Sequence, residues 1–124
     1  MQALIVDDSR TTRRLISDIM QSLNFDVVQA CDGSEALQRL SELGTVDVVL
    51  VDWNMPVMNG LEFVKAVRSN LAFNDVPLLM VTTKTEMDQM AIAFMAGVNE
   101  YLMKPFDAEM VRDKLAWIGI ESNA

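Results

Sequence analysis

Short apolar runs alternate with amphipathic segments along the whole chain. Val46-Asp47-Val48-Val49-Leu50-Val51 is one such run, rich in β-branched residues, and it ends abruptly at Asp52. A run this uniformly apolar predicts a strand covered on both faces, as in parallel sheets. Ala3–Val6, Asp26–Ala30, Pro77–Val81 and Glu100–Met103 read as four further strands. Asp26–Ala30 is the most mixed of them and predicts a place nearer the edge.

Between the strands the period changes to that of helices. Arg10–Leu23 puts Leu15, Ile16, Ile19, Met20 and Leu23 on one face, with Ser9 or Asp8 as cap. Gly33–Leu43 puts Ala36, Leu37, Leu40 and Leu43 inward, and Gly44 ends it. Gly60–Ser69 turns Leu61, Val64 and Val67 to the core. Thr85-Glu86-Met87-Asp88 reads as a Ser/Thr-x-x-acid cap on a helix that runs to Ala96, closed by Gly97. Asp107 caps a last helix to Ile118, with Met110, Val111, Lys114, Leu115 and Ile118 at helical spacing. Strict alternation of strand and helix predicts an α/β fold: a parallel sheet with helices on both faces and right-handed crossovers.

A parallel sheet brings the carboxyl ends of its strands to one edge, where such sheets bind ligands. Strand one ends in Asp7-Asp8 and strand three in Asp52. Strand four ends in Thr82-Thr83-Lys84 and strand five in Lys104-Pro105. If strands one and three are neighbours, three carboxylates converge and their mutual repulsion must be offset. Lys104 offsets part, and a hard cation such as Mg²⁺, which takes carboxylate and water oxygens, offsets the rest. A carboxylate nucleophile, a metal, a hydroxyl and an ammonium are the equipment for phosphoryl transfer onto an aspartate. Asp52 supplies the attacking oxygen, Lys104 and the metal stabilise the phosphoryl oxygens, and Thr82 hydrogen-bonds the product.

Composition removes alternatives. The chain has no histidine, so Ser-His-Asp and Cys-His machinery and zinc sites of the Cys/His type are excluded. The single Cys31 cannot form an internal disulfide, which fits a reducing, cytoplasmic setting. A net charge of −8 argues against nucleic acid as a direct partner. No apolar stretch reaches the roughly 18 residues of a membrane span, and the acidic start is not a signal peptide.

These pieces together resemble the response-regulator receiver domains of the CheY type. Val6-Asp7-Asp8-Ser9 resembles the family's acidic pair, and Ala30-Cys31-Asp32-Gly33-Ser34-Glu35-Ala36-Leu37 its second strand-to-helix turn. Asp52-Trp53-Asn54-Met55-Pro56-Val57-Met58-Asn59-Gly60 resembles its phosphorylation motif in a chemotaxis-like form. Val81-Thr82, Tyr101 and Lys104-Pro105-Phe106 resemble its switch hydroxyl, switch aromatic and lysine motif. The likeness runs the length of the chain, 1–124, read as a single receiver domain.

The resemblance implies a flavodoxin-like (βα)5 doubly wound sheet of order 2-1-3-4-5. It implies Asp52 as phospho-acceptor, Mg²⁺ held by Asp8, Asp52 and the backbone carbonyl of Asn54, and Asp7 assisting through water. It further implies a cis Lys104–Pro105 bond, motion of Thr82 toward the phosphoryl group and an inward swing of Tyr101. Asn54 and Lys84 stand where the family tunes hydrolysis. A sensor histidine kinase is the implied donor. The implied output is protein binding through the face of the fourth helix, fifth strand and fifth helix, to a flagellar motor switch component or another signalling protein. Such a domain is a switch, monomeric or dimerising on phosphorylation, that catalyses only its own phosphorylation and dephosphorylation. The Met1 start and the short tail Glu121–Ala124 favour a whole protein without an output domain.

Blander readings stand beside these. Asp7 and Asp8 serve equally as helix caps, Thr82 and Tyr101 as ordinary strand residues, and the cluster of Met87, Met90, Met95, Met103 and Met110 as core filling. Trp53 is expected near the site and Trp117 packed at the last helix. Three other functions share parts of the pattern. An aspartyl-phosphate phosphohydrolase needs an acid where Asn54 stands and a cap domain. A nucleotide or flavin module needs a phosphate loop where Asp7-Asp8 stands. A scaffold-type pseudo-receiver, or a receiver serving a larger regulator, needs no further residues.

Overall fold

A computed structural model describes residues 1–83 and 87–120, the side chain of Met87 excepted. Its strands are β1 (Gln2–Val6), β2 (Asp26–Ala30), β3 (Val48–Val51), β4 (Leu78–Thr82) and β5 (Glu100–Met103). Its helices are α1 (Arg10–Ser22), α2 (Gly33–Leu43), α3 (Gly60–Ser69), α4 (Met87–Ala96) and α5 (Ala108–Trp117). All pairings are parallel, in the order β2-β1-β3-β4-β5. The expected flavodoxin-like doubly wound sheet is therefore present, with β2 at one edge.

The central strands are apolar throughout because both faces are covered. Val49, Val51, Leu78 and Met80 pack with Ala36, Leu40, Phe63, Val64, Val67 and Ala93 from α2, α3 and α4. Val48, Leu50, Leu79 and Val81 pack on the other side with Ile16, Met20, Val111 and Leu115 from α1 and α5. Alternate residues of one strand thus enter opposite cores, as the two-residue period requires.

Helix ends follow the predicted chemistry. Ser9, rather than Asp8, caps α1, Asp32 caps α2 and Asp107 caps α5, each accepting from a first-turn N–H. Asn59 and Glu62 form a capping box on α3. The Thr85-Glu86 cap expected for α4 falls outside the described residues.

Three side chains depart from the predicted faces. Leu15 is 55% exposed. The buried stripe of α1 runs through Ile16, Met20 and Ser17, and Ser17 accepts from Gln29 of β2, which rotates Leu15 off the core. Met110 is exposed because α5 buries Val111 and Leu115, one turn apart, and Met110 lies to their side. Trp117 does not pack inward. It is 69% exposed, with the Lys114 ammonium 4.7 Å above its ring. Strand bounds also shift: β3 starts at Val48 although Val46 is buried, and β4 reaches Thr82.

The loop after β3 carries a backbone feature of its own. Val57 has φ 68°, and Met58 N–H donates to the Pro56 carbonyl at 2.7 Å, a tight turn around a β-branched residue. Left-handed backbone is costly for such a residue, and the Val57 side chain, 84% exposed, gains little packing in return. Val57→Gly should therefore stabilise the protein by about 1 kcal/mol, after allowing for glycine's greater unfolded-state entropy. A thermal melt that shifts downward in Val57→Gly would contradict this.

Candidate functional site

The carboxyl ends of β1 and β3 lie side by side, because Val6 pairs with Val51. The next residues continue the contact: Asp52 N–H donates to the Val6 carbonyl at 2.9 Å. That register sets Asp52 beside Asp7 and Asp8. One carboxylate oxygen from each lies within 4.8 Å of the others, with Asp7 and Asp52 buried and Asp8 exposed. Lys104, following β5, reaches across the edge. Its Nζ donates to Asp7 Oδ2 at 3.0 Å and lies 3.6 Å from Asp52 Oδ1. The Lys104–Pro105 bond is cis.

The three carboxylates are held very differently. Asp7 is tied down at both oxygens, by Ser9 N–H on Oδ1 at 2.8 Å and by Lys104 on Oδ2. Asp52 is half held: Trp53 N–H donates to Oδ1 at 2.9 Å, the same oxygen that faces Lys104. No described residue donates to Asp52 Oδ2. Asp8 accepts no hydrogen bond from the described residues at all. The site therefore keeps one buried and one exposed carboxylate with oxygens to spare.

Charge at Asp52 is expensive. Burial pushes its carboxyl up to about 6 from an ordinary 3.8. Lys104 and the Trp53 N–H oppose that rise, while Asp7 and Asp8 add to it. Burial also raises the Tyr101 hydroxyl above its usual range.

Thr82 and Tyr101 lie on the neighbouring strands. Met80 pairs with Tyr101 and Thr82 with Met103, so Thr82 and Tyr101 share the sheet face that carries α3 and α4. Thr82 is buried, and Tyr101 occupies an inward position in this core. Asn54 lies two residues beyond Asp52 in the exposed part of the loop. Lys84 falls outside the described residues.

The donor set suits a hard divalent cation. It offers only carboxylate oxygens, one of them unencumbered and facing solvent, around a carboxyl group whose charge is destabilised by burial. Mg²⁺ is bound by one or two carboxylates plus waters in this way, and softer metals favour nitrogen or sulfur that the site does not present.

The motif that ends at Gly60 does not show what this glycine does at the site. Gly60 opens α3, and its N–H donates to the Trp53 carbonyl at 2.9 Å. A Cβ at Gly60 would lie 2.1 Å from the Asp52 carbonyl oxygen. Only a close approach between residues eight apart reveals this, and the motif shows the glycine without its contact.

Of the apolar cluster near the chain's end, Met95 is 88% exposed, and Met103, Met110 and Phe94 are exposed as well. Met95, Met103 and Met110 are therefore not core filling, whereas Met90 packs against the core as the blander reading expects. Among the described residues, no helix is long and apolar enough to cross a membrane.

Residues 3–116 match the family model of the response regulator receiver domain. The chain is 42% identical to chemotaxis protein CheY1 of Helicobacter pylori over 116 residues, covering 93% of this chain and 94% of that protein. It is 44% identical to the chemotaxis protein CheY homolog of Campylobacter jejuni, covering 93% of this chain and 89% of that one. Among solved structures, chemotaxis protein CheY4 of Vibrio cholerae superposes with a TM-score of 0.87 at 38% identity, covering 94% of this chain and 97% of that one.

Proposed function

Because the chain belongs to the response regulator receiver family, we propose that it is a phosphorylation-driven switch in two-component signalling, acting as one receiver unit over residues 1–124. Asp52 is the phospho-acceptor. The observation that carries this is the state of its carboxylate: Oδ1 is engaged by Trp53 N–H and faced by Lys104, whereas Oδ2 receives nothing from the described residues. Oδ2 attacks the phosphorus of a phosphohistidine on a sensor kinase. The new Oδ2–P bond forms as the P–N bond breaks, and the electron pair stays on the imidazole nitrogen. Water later attacks the same phosphorus and returns the carboxylate.

Asp8 and Asp52 would hold Mg²⁺ with the Asn54 carbonyl, and Asp7 would help through water. When bound, the ion supplies positive charge for the phosphoryl oxygens. Lys104, 3.0 Å from Asp7 Oδ2 and 3.6 Å from Asp52 Oδ1, supplies a second positive charge. Thr82 hydrogen-bonds the phosphoryl group, and Tyr101, on the same sheet face, already stands in the inward position expected of the switched form. The product carries more negative charge than the carboxylate, so it draws on both cations.

Output then passes to the face of α4, β5 and α5, where Phe94, Met103, Met110 and Trp117 are exposed. Apolar, flexible methionines suit a partner surface that repacks. The similarity to chemotaxis proteins favours a flagellar motor switch component as that partner and a cytoplasmic setting. The domain acts only on its own aspartyl phosphate, as a monomer or as a dimer formed on phosphorylation. Acetyl phosphate with Mg²⁺ should add one phosphoryl group to the intact mass. The gain should vanish with a chelator and in Asp52→Asn. A folded, Mg²⁺-binding protein that gains no mass would overturn the switch.

A further inference from the structure

Asp8 is the candidate metal ligand that the protein itself does not hold. Its carboxylate is exposed and accepts nothing from the described residues, so its position depends on the backbone alone. That backbone is the Asp7–Asp8 peptide, which is planar and moves as a unit. The peptide before it is held separately, Asp7 N–H donating to the Ala30 carbonyl at 3.1 Å. The carbonyl of the Asp7–Asp8 peptide itself accepts from Arg13 Nη1 at 2.7 Å.

Arg13 is half-buried and braced from behind. Its Nε donates to Gln29 Oε1 at 3.2 Å, and Gln29 Nε2 donates to the buried Ser17 hydroxyl at 3.0 Å. The guanidinium thus links the first turn of α1, the end of β1 and the edge strand β2. The side chains of its neighbours Arg10 and Arg14 are exposed and make no hydrogen bond to the described residues. Of the three arginines, only Arg13 is built into the site's frame.

We propose that Arg13 is a positioning residue for the cation site: by fixing the Asp7–Asp8 peptide plane it sets where the unsupported Asp8 carboxylate stands. This rests on the phospho-acceptor reading above. The planar fork is what lets one side chain meet the Asp7 carbonyl and Gln29 together. Partners one step removed from a metal typically affect its affinity about tenfold or more.

Charge alone predicts the opposite sign. Arg13 adds positive charge near three carboxylates, so removing it would strengthen cation binding if electrostatics dominated. The two accounts therefore separate cleanly. Mn²⁺ binding, followed by the electron paramagnetic resonance of the free ion with Mg²⁺ as competitor, reads affinity without any phosphodonor. Arg13→Met should weaken Mn²⁺ and Mg²⁺ about tenfold. Arg13→Lys, which keeps the charge but lacks the fork, should recover only part of that loss. Gln29→Met, which removes the brace and keeps the charge, should weaken binding by about threefold, and it serves as the test if Arg13→Met fails to fold.

Thermal melts of each variant separate this role from a general helix-to-strand tie, which would lower the melting temperature and leave ion affinity unchanged. Unchanged or tighter binding in folded Arg13→Met or Gln29→Met overturns the proposal and leaves the phospho-acceptor reading intact. Wild-type protein that binds neither ion overturns both.

Discussion

Asp52→Asn is expected to melt about 10 °C higher than the wild-type protein at pH 7.5 in the presence of a chelator. The reason is the cost of its charge. Burial moves the carboxyl from 3.8 to about 6, so the folded state binds a proton that the unfolded state has already lost. Wild-type stability therefore falls as pH rises from about 4 to about 6, and the full penalty persists above that window. Its size is ~2–3 kcal/mol, and an uncharged amide of the same shape does not incur it. The advantage of Asp52→Asn should shrink as pH drops below 6 and vanish near pH 4. Groups that titrate alike in both proteins cancel from the difference. Saturating Mg²⁺ should stabilise the wild type more than Asp52→Asn, because the ion removes the same penalty and adds binding energy. A melting difference that is independent of pH would show that burial does not set the ionisation of Asp52. On the proposed role the substitution should also abolish phosphoryl uptake, so that the carboxylate is kept at the expense of stability.

The same residue shows why so much was legible in the sequence. A parallel sheet makes its central strands uniformly apolar, and each run stops where the sheet stops. Asp7, Asp8, Asp52 and Lys104 stand directly after such runs, so the topology alone gathers them at one edge. Faces of helices were less legible. Leu15 has the right residue type for the core, but the Ser17–Gln29 hydrogen bond turns the buried stripe of α1 away from it. Trp117, expected packed at the last helix, departs for a related reason. Lys114 stands above its ring while pairing with Glu100, and the indole stays in solvent. Polar contacts between distant segments leave no periodic trace. Arg68 is a case of this kind: it donates to the Gly97, Asn74 and Val76 carbonyls and to Asn99 Oδ1, tying α3 to the start of β4 and the end of α4. The sequence shows only a cation in the last turn of a helix, the place where a cation favours the helix dipole.

Gly60→Ala carries the other large effect, and its direction opposes the helix-propensity rule. Alanine in place of glycine favours a helix by ~1 kcal/mol, so an open first-turn position would be stabilised. Gly60 is not open. A Cβ there would meet the Asp52 carbonyl oxygen at 2.1 Å, the Asp52 carbonyl carbon at 2.9 Å and Trp53 Cα at 3.0 Å. All three are backbone atoms, so no side chain can swing aside. The helix cannot readily retreat either, since the Asn59–Glu62 capping box fixes its start and Gly60 N–H is bonded to the Trp53 carbonyl. The displacement must fall on Asp52, whose own N–H is bonded to β1. Gly60→Ala should lose about 3 kcal/mol, some 12 °C in melting temperature, as overpacking against rigid neighbours does. At temperatures where it remains folded, phosphoryl uptake from acetyl phosphate should fall by about a hundredfold, because a shift of about 1 Å at the nucleophile is enough. Stability and rate need not move together, and that separates the causes. A variant that melts lower yet accepts phosphate at the wild-type rate would place the strain in α3 and leave Asp52 undisturbed. Loss of both would tie the start of α3 to the acceptor, so that any movement of this helix on signalling is felt at Asp52 through a single backbone contact.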